Sequence, residues 1–288
     1  MAEVSDQPAA AAGTLTLGCD LQVRRMGYGA MRITGSGIFG EPPDPEASKA
    51  VLRRALELGV NFIDTAESYG PEVSERLIAE ALHPYPDDLV IATKGGLPRS
   101  SDGGWYPDGR PEHLRESCEG SLRRLRLDRI DVYQLHRVDP NVRLEESVGA
   151  LAQLRSEGKV RHVGLSNISE EQLDRAREIV PIVSIQNRYS VAERDDDAMV
   201  DRCERDELAY IPWYPLAAGR VAENSGPGER VAAAHGATAA QISLAWLLHR
   251  SPAMLPIPGT NSIDHLEEDV AAAGLELTDE EFDALSRT

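Results

Sequence analysis

Two short runs, DVYQLH (131–136) and VRHVGLS (160–166), lie on either side of a helix-length segment, and this alternation decides the fold. Similar runs, rich in Val, Ile and Tyr, recur along the chain, and several are nearly continuous in apolar residues, as parallel strands covered on both faces are. The eight runs begin at Met26, Asn61, Leu89, Asp131, Val160, Val183, Tyr210 and Met254. Because a helix-like segment follows each run without a break in composition, we expect an α/β protein folded as a (β/α)8 TIM barrel. A doubly wound open sheet is the alternative.

The N-terminal residues predict a tail and a hairpin. TLTL (14–17) and LQV (21–23) flank the turn-forming residues 18–20, so we expect a small β-hairpin that closes the bottom of the barrel. Residues 1–13 lack the charged and apolar regions of a secretion signal, and we expect them to form a flexible tail. Residues 14–288 are then predicted to form a single barrel domain.

The segment GSGIFG (35–40) matches the dinucleotide-binding pattern GxGxxG and favours the open-sheet alternative. In that fold the last glycine opens a helix whose N-terminus faces a pyrophosphate. Here Pro42, Pro43 and Pro45 follow instead, and a proline forces extended backbone on the residue before it, where the motif needs a tight turn. We therefore interpret the segment as a flexible loop that lines a pocket.

The composition excludes several classes of function. The 288 residues include 30 Lys and Arg against 48 Asp and Glu, a formal net charge of −18, which argues against nucleic acid and anionic membranes as partners. The chain has no run of about 18 apolar residues that could span a membrane. Its 3 cysteines form no CxxC pair, so we expect reduced thiols, no metal site and a cytoplasmic location.

Polar and aromatic side chains follow the predicted strands at the end of a barrel that carries the active site. These residues are Asp64, Tyr69, Lys94, His136, Ser166, Asn167, Gln186 and Tyr214. Any one of them alone could be a helix cap, a structural histidine or an amphipathic core residue. Because four titratable groups would converge on one mouth, their combination favours a catalytic site.

Four of these residues suit the reduction of a carbonyl group. A tyrosine hydroxyl is a poor acid at neutral pH, but a neighbouring ammonium such as that of Lys94 would lower the pKa of Tyr69. Asp64 could hold and compensate Lys94, and a neutral His136 could donate a hydrogen bond to the carbonyl oxygen. This set supplies a proton donor and an electrophilic clamp around one oxygen, and it requires a separate source of hydride.

The chain resembles the aldo-keto reductases over nearly its whole length, from about Thr14 to the C-terminus. Seven ordered segments carry the resemblance: NFIDTAESYG (61–70), ATKGG (92–96), SLRRLRLDRIDVYQLH (121–136), GKVRHVGLSN (158–167), IQNRYS (185–190), WYPLAAG (213–219) and IPGT (257–260). The resemblance implies a barrel that binds a nicotinamide cofactor and transfers hydride to aldehydes and ketones. It also implies that Asp64, Tyr69, Lys94 and His136 are the catalytic residues.

The resemblance further implies contacts to the cofactor. Ser166, Asn167 and Gln186 would hold the nicotinamide carboxamide, and the Tyr214 ring would stack on the nicotinamide. The remaining contacts implied near the reactive end and the phosphates are Ala30, Met31, Asp64, Leu216 and Gly219. At the adenine end they are Gly259, Thr260, His265, Glu268 and Asp269. The resemblance implies NADPH as the cofactor. Because this end is more acidic than in well-known relatives, NADH is the alternative cofactor.

The substrate is predicted less closely, as a small aldehyde or ketone. The loop after the third strand carries Trp105, which with Ile38, Phe39 and Trp213 could line an apolar substrate pocket. The chain also resembles a bacterial subgroup that includes pyridoxal reductases. We expect a monomer or small homo-oligomer. The alternatives to a reductase are a slow or non-catalytic redox sensor that docks on a partner, and a barrel hydrolase or isomerase without nicotinamide.

Overall fold

The computed structural model describes residues 7–216 and 227–287, which contain a two-stranded hairpin and a seven-stranded parallel sheet. The hairpin strands are β1 Thr14–Leu17 and β2 Leu21–Arg24. The sheet strands are β3 Tyr28–Gly29, β4 Phe62–Asp64, β5 Val90–Gly95, β6 Ile130–Leu135, β7 Val160–Ser166, β8 Ile182–Gln186 and β9 Ala209–Tyr210. They are hydrogen-bonded in sequence order from β3 to β9, which is the order of a barrel rather than that of a doubly wound sheet.

The eighth predicted strand, which begins at Met254, is not a regular strand. It nevertheless lies between β9 and β3 and closes the sheet, and we call this join the seam. Leu255 donates its amide to Tyr210 on one side at 2.9 Å. On the other side the carbonyls of Pro256 and Pro258 accept from Gly27 and Gly29, both at 3.0 Å. The two prolines have no amide hydrogen, so this segment cannot complete the ladder on both sides.

The helices cover the outside of the sheet. They are α1 Pro45–Glu57, α2 Val73–Leu82, α3 Pro111–Leu125, α4 Leu144–Ser156, α5 Glu170–Arg177, α6 Asp197–Arg205, α7 Pro227–His235, α8 Ala239–Arg250, α9 Ile263–Ala271 and α10 Asp279–Ser286. Their apolar faces and the outer faces of the strands form the larger core. A smaller core fills the inside of the sheet, where the hairpin residues Leu17, Leu21 and Val23 pack against strand residues, as the prediction of a hairpin at the bottom requires.

The prediction of a flexible tail is wrong for residues 8–12. Pro8–Ala12 form a 3-10 helix in which Ala9 and Ala12 are buried. The amide of Ala9 donates to the carbonyl of Leu58 at 3.1 Å. Small side chains let this segment pack closely on the barrel, so burial of apolar surface offsets the entropy lost on ordering it.

The GSGIFG segment does not open a helix, as the three prolines predict. Ser36–Ile38 form one 3-10 turn, and α1 begins only at Pro45, where the Asp44 side chain caps the amides of the first turn. The guanidinium of Arg99 donates to the carbonyls of Gly37 and Ile38 at 3.2 and 2.8 Å. Arg99 therefore ties this loop to the loop after β5.

Within residues 7–216 and 227–287, no single helix is long and apolar enough to cross a membrane. Helices α7 and α8 reach that length only together, as a pair bent by 95°.

Candidate active site

The parallel strands bring the predicted catalytic residues to one end of the sheet. Asp64 ends β4, Lys94 is the second-last residue of β5, and His136 directly follows β6. Tyr69 lies in the loop between β4 and α2. Because side chains alternate along a strand, Asp64 and Lys94 both point into the barrel, where they are 1% and 0% exposed.

Lys94 is the centre of this group. Its Nζ lies 2.5 Å from Asp64 Oδ2, 2.8 Å from the carbonyl oxygen of Thr65 and 3.3 Å from Tyr69 Oη. The ammonium thus has three acceptors for its three hydrogens, which is what a fully buried lysine needs in order to stay charged. Although burial favours the neutral amine, Asp64 and Tyr69 raise the pKa of Lys94 above its ordinary value.

Burial dominates the acidity of Tyr69. It raises the pKa of the hydroxyl above its ordinary value, and the Lys94 cation opposes only part of that effect. Lys94 thus lowers the pKa of Tyr69, as expected, but burial has the larger effect and the net shift is upward. At neutral pH Tyr69 is a protonated phenol, the form that can donate a proton.

His136 is neutral at physiological pH. Burial, and then the charges of Lys94 and Arg137, hold its pKa well below the usual value. The Ser68 hydroxyl lies 3.4 Å from Nδ1. In the tautomer that accepts the Ser68 hydrogen at Nδ1, Nε2 carries a hydrogen that can be donated to a carbonyl oxygen. The ring lies edge-on to that of Tyr69, with the centroids 6.0 Å apart.

Two amides orient Asp64, and one of them was missed by the sequence analysis. Gln186 and Gln134 both donate through Nε2 to Asp64 Oδ1, at 2.9 and 3.1 Å. Gln134 lies inside β6, where its place in a buried strand gave no sign of a polar role. With Lys94 on the other oxygen, the carboxylate is held in one orientation.

Ser166 and Asn167 form a polar edge beside His136. The Ser166 hydroxyl donates to the carbonyl of Gln186 at 2.8 Å, and Asn167 Nδ2 donates to the carbonyl of His136 at 3.0 Å. Asn167 has a φ of 56°, in the left-handed region that asparagine tolerates better than most residues. This turn brings the end of β7 back toward the end of β6.

Two adjoining cavities open from the predicted catalytic residues, each with a volume of about 540 Å³. The His136 cavity is lined by Tyr69, Leu97, Trp105, Pro107, His136, Arg137, Ser166, Asn167, Gln186 and Trp213. The Tyr214 cavity is lined by Gly29, Met31, Arg32, Asp64, Tyr69, Gln186, Trp213, Tyr214, Pro215, Leu216, Ile257, Pro258, Gly259 and His265. Tyr69, Gln186 and Trp213 line both cavities, so the phenol lies at their junction.

Several residues that were predicted to contact the cofactor or the substrate line neither cavity in the part of the chain that the structure describes. Ile38 and Phe39 are at the outer rim, because Arg99 holds their loop there and lies 5.4 Å from the Phe39 ring. The other predicted contacts outside the lining are Ala30, Thr260, Glu268 and Asp269. Gly219 falls outside the described residues. Binding roles for all of these residues stay predictions.

Two arginines that line the cavities were missed by the sequence analysis. Arg32, in the 3-10 helix after β3, lines the Tyr214 cavity, and Arg137 lines the His136 cavity. Both follow strand ends, which is the signal that could have identified them. They went unnoticed because the chain has many arginines, most of which belong on solvated surfaces.

Asp269, in α9, is a buried acid at the predicted adenine end. It is 5% exposed, and burial together with the charge of Glu268 raises its pKa to about 7. In the unfolded chain its pKa is about 3.9, so between about pH 4 and pH 7 the folded state binds more protons than the unfolded state. Asp269 therefore makes the fold less stable as the pH rises through this range, and the cost is complete above about pH 7.

We expect Asp269→Asn to remove this cost. The free energy of unfolding, measured with urea, should rise by on the order of 4 kcal/mol at pH 8 and by only about 1 kcal/mol at pH 4.5. Glu276→Gln, at an exposed acid, is the matched control and should change neither value. An equal gain at both pH values would contradict the assignment of the cost to ionisation.

Comparisons with known proteins agree with the fold. The profile of the aldo/keto reductase family matches residues 25–288. An uncharacterised oxidoreductase of Schizosaccharomyces pombe is 48% identical over 274 residues, covering 95% of this chain and 89% of its own. Pyridoxine 4-dehydrogenase of Escherichia coli is 45% identical over 278 residues, covering 94% and 96%.

A solved structure of an aldo-keto reductase is also similar to this chain in fold. An aldo-keto reductase from Klebsiella pneumoniae, crystallised in complex with NADPH, superimposes with a TM-score of 0.82 at 29% identity, covering 95% of this chain and 94% of that one. The predicted (β/α)8 barrel is therefore confirmed. By profile, by sequence identity and by fold, this chain belongs to the aldo/keto reductase family.

Proposed function

We propose that this protein uses NADPH to reduce a small aldehyde or ketone to the alcohol, with Tyr69 as the proton donor. The observation that carries the proposal is the position of the Tyr69 hydroxyl. It lies 3.3 Å from the Lys94 ammonium and at the junction of the two cavities, beside His136. Crystallisation of the Klebsiella relative with NADPH supports the cofactor. The name of the Escherichia coli relative supports an aromatic aldehyde such as pyridoxal among the substrates.

The residues of the Tyr214 cavity fit a nicotinamide dinucleotide. Trp213 and Tyr214 offer aromatic surface beside Tyr69, and Gln186 offers an amide. Arg32 and His265 also line this cavity, where the guanidinium and a ring nitrogen could hydrogen-bond phosphates. When bound, the cofactor would supply hydride to the carbonyl carbon of the substrate.

The protein's own residues would handle the oxygen. His136 Nε2 and Tyr69 Oη would both hydrogen-bond the carbonyl oxygen and fix the carbonyl in place. As negative charge develops on the oxygen, Tyr69 transfers its proton to it and the product leaves as an alcohol. Lys94, paired with Asp64, stabilises the phenolate that remains until solvent returns a proton.

Rapid mixing of the NADPH-loaded protein with a panel of aldehydes that includes pyridoxal tests the proposal. We expect NADPH absorbance to fall within seconds, with one alcohol formed per NADPH consumed. Stable NADPH binding without oxidation by any aldehyde would instead indicate a cofactor sensor. Absence of NADPH and NADH binding in a fluorescence titration would refute the assignment of the Tyr214 cavity.

Arg32→Met should weaken NADPH binding by roughly tenfold, because it removes a charge that can pair with a phosphate. No ion pair or hydrogen bond engages the Arg32 side chain within the described part of the chain, so its loss should not disturb the fold. The dissociation constant is measured by NADPH fluorescence. Arg129→Met, at an exposed arginine before β6, is the control, and equal weakening by both variants would refute a specific role for Arg32.

A further inference from the structure

The charge of the His136 cavity is opposite to that of the protein. The whole chain carries 48 acidic residues against 30 Lys and Arg. Among the described residues that line this cavity, however, none is acidic, and the guanidinium of Arg137 supplies a positive charge. His136 is neutral, and the buried Lys94 is compensated by Asp64. Arg137 therefore sets the sign of the charge that a substrate meets there.

Arg137 also has no hydrogen-bond or ion-pair partner for its side chain among the described residues. Its nearest acid in the sequence, Asp139, accepts instead from the amides of Gly109 and Asn141, at 3.0 and 2.8 Å. By contrast, Arg188, which lies over the Trp213 ring, pairs with Glu193. No hydrogen bond or ion pair holds the Arg137 side chain in residues 7–216 and 227–287, and the residue is exposed. Its five donors are free to bind an anion.

The rest of the cavity suits the body of an aromatic or apolar molecule. Trp105, Leu97 and Pro107 form apolar walls, and the Trp105 ring lies edge-on to His136 with centroids 6.4 Å apart. Arg137 follows His136 directly in the chain, so a molecule whose carbonyl is held by Tyr69 and His136 presents its remaining groups toward these walls and the guanidinium.

We propose that Arg137 determines substrate specificity by binding an anionic group, so that the preferred substrates are aldehydes or ketones that also carry a carboxylate or another anionic substituent. The proposal rests on the proposed reductase function. A guanidinium binds a carboxylate through parallel hydrogen bonds and gives a contact far from the reacting carbon. Such a contact is made equally in the ground state and in the transition state, so it should lower KM and leave kcat nearly unchanged.

The test compares 4-formylbenzoate, its neutral methyl ester and the cationic 4-(trimethylammonio)benzaldehyde. Each is used with the wild type, Arg137→Met, Arg137→Lys and Arg129→Met. Arg129 and Arg137 flank the same strand β6 at opposite ends, so Arg129→Met makes the same change in net charge away from the cavity. Each substrate is compared with itself across the variants, so the different reactivities of the aldehydes cancel.

We expect Arg137→Met to lower kcat/KM for 4-formylbenzoate by about fivefold to tenfold through KM, a range set by partly exposed charge pairs. The methyl ester should change by less than twofold, the cationic aldehyde should improve, and Arg137→Lys should restore part of the loss. An unchanged kcat/KM for 4-formylbenzoate in Arg137→Met, or an equal loss in Arg129→Met, would overturn the proposal. Failure of the wild type to oxidise NADPH with any of the three aldehydes would refute the reductase function itself.

Discussion

Tyr69→Phe should bind NADPH as tightly as the wild type and lose turnover by about 10²-fold to 10⁴-fold, the range that general acid catalysis contributes. The substitution removes the transferable proton and leaves the ring, which is 7% exposed and held edge-on to His136. It leaves the Lys94–Asp64 pair in place, so the charge of the site does not change. Single-turnover oxidation of NADPH measures the chemical step, and fluorescence titration measures binding.

Tyr85→Phe is the matched control for this variant. Its hydroxyl also donates a hydrogen bond, to the carbonyl of Leu125 at 2.7 Å, but it lies on the outer side of the barrel, away from the cavities. It should keep wild-type turnover. If Tyr69→Phe lost no more activity than Tyr85→Phe, the proton would have to come from another group and the assigned role would be wrong.

The second large effect is expected for the buried ion pair. Lys94→Met leaves the Asp64 carboxylate buried without its cation, so we expect the free energy of unfolding to fall by about 3–5 kcal/mol and turnover to be nearly abolished. Asp64→Asn alone leaves the Lys94 ammonium buried with neutral acceptors and should also lower both quantities. In each case a full charge remains in a site where both side chains are at most 2% exposed.

The double variant Asp64→Asn/Lys94→Met separates the two roles of the pair. Since no unpaired charge remains, it should be more stable than Lys94→Met alone, yet no more active, because Tyr69 has lost its neighbouring cation. Urea unfolding and kcat/KM are measured on the wild type, the two single variants and the double variant. The comparison gives the coupling between Asp64 and Lys94 in stability and in activity. Additive losses of stability, or activity recovered together with stability, would contradict the assignment.

The positions of the four candidate catalytic residues could be predicted from the sequence because a parallel barrel fixes where strand ends meet. Once the alternation is recognised, Asp64, Lys94 and His136 must lie on one rim, whatever the details of packing. Gln134 could not be found in this way, since it lies within a strand rather than at its end. Its contact with Asp64 depends on the inward side of β6 and on the width of the barrel.

The pKa of Tyr69 could not be predicted from the sequence for a different reason. Its neighbour Lys94 follows from the topology, and that cation alone lowers the pKa. The opposing effect depends on how completely the ring is desolvated, which is a property of the packed loops and not of sequence spacing. The tail at residues 8–12 was assigned wrongly for a similar reason. These residues are ordered by contact with Leu58, which is far away in the sequence.

The proline-containing seam gives the barrel a thermodynamic link to its ligand. Gly29 lies on one side of the seam, Ile257 and Pro258 lie on the other, and all three line the Tyr214 cavity. A molecule bound there therefore touches both edges of this join, in which the two prolines donate no backbone hydrogen bond. Binding and closure of the cylinder then reinforce each other by mass action, so resistance to unfolding should increase with ligand concentration. The join that the two prolines weaken is thus the one that an occupied cavity strengthens.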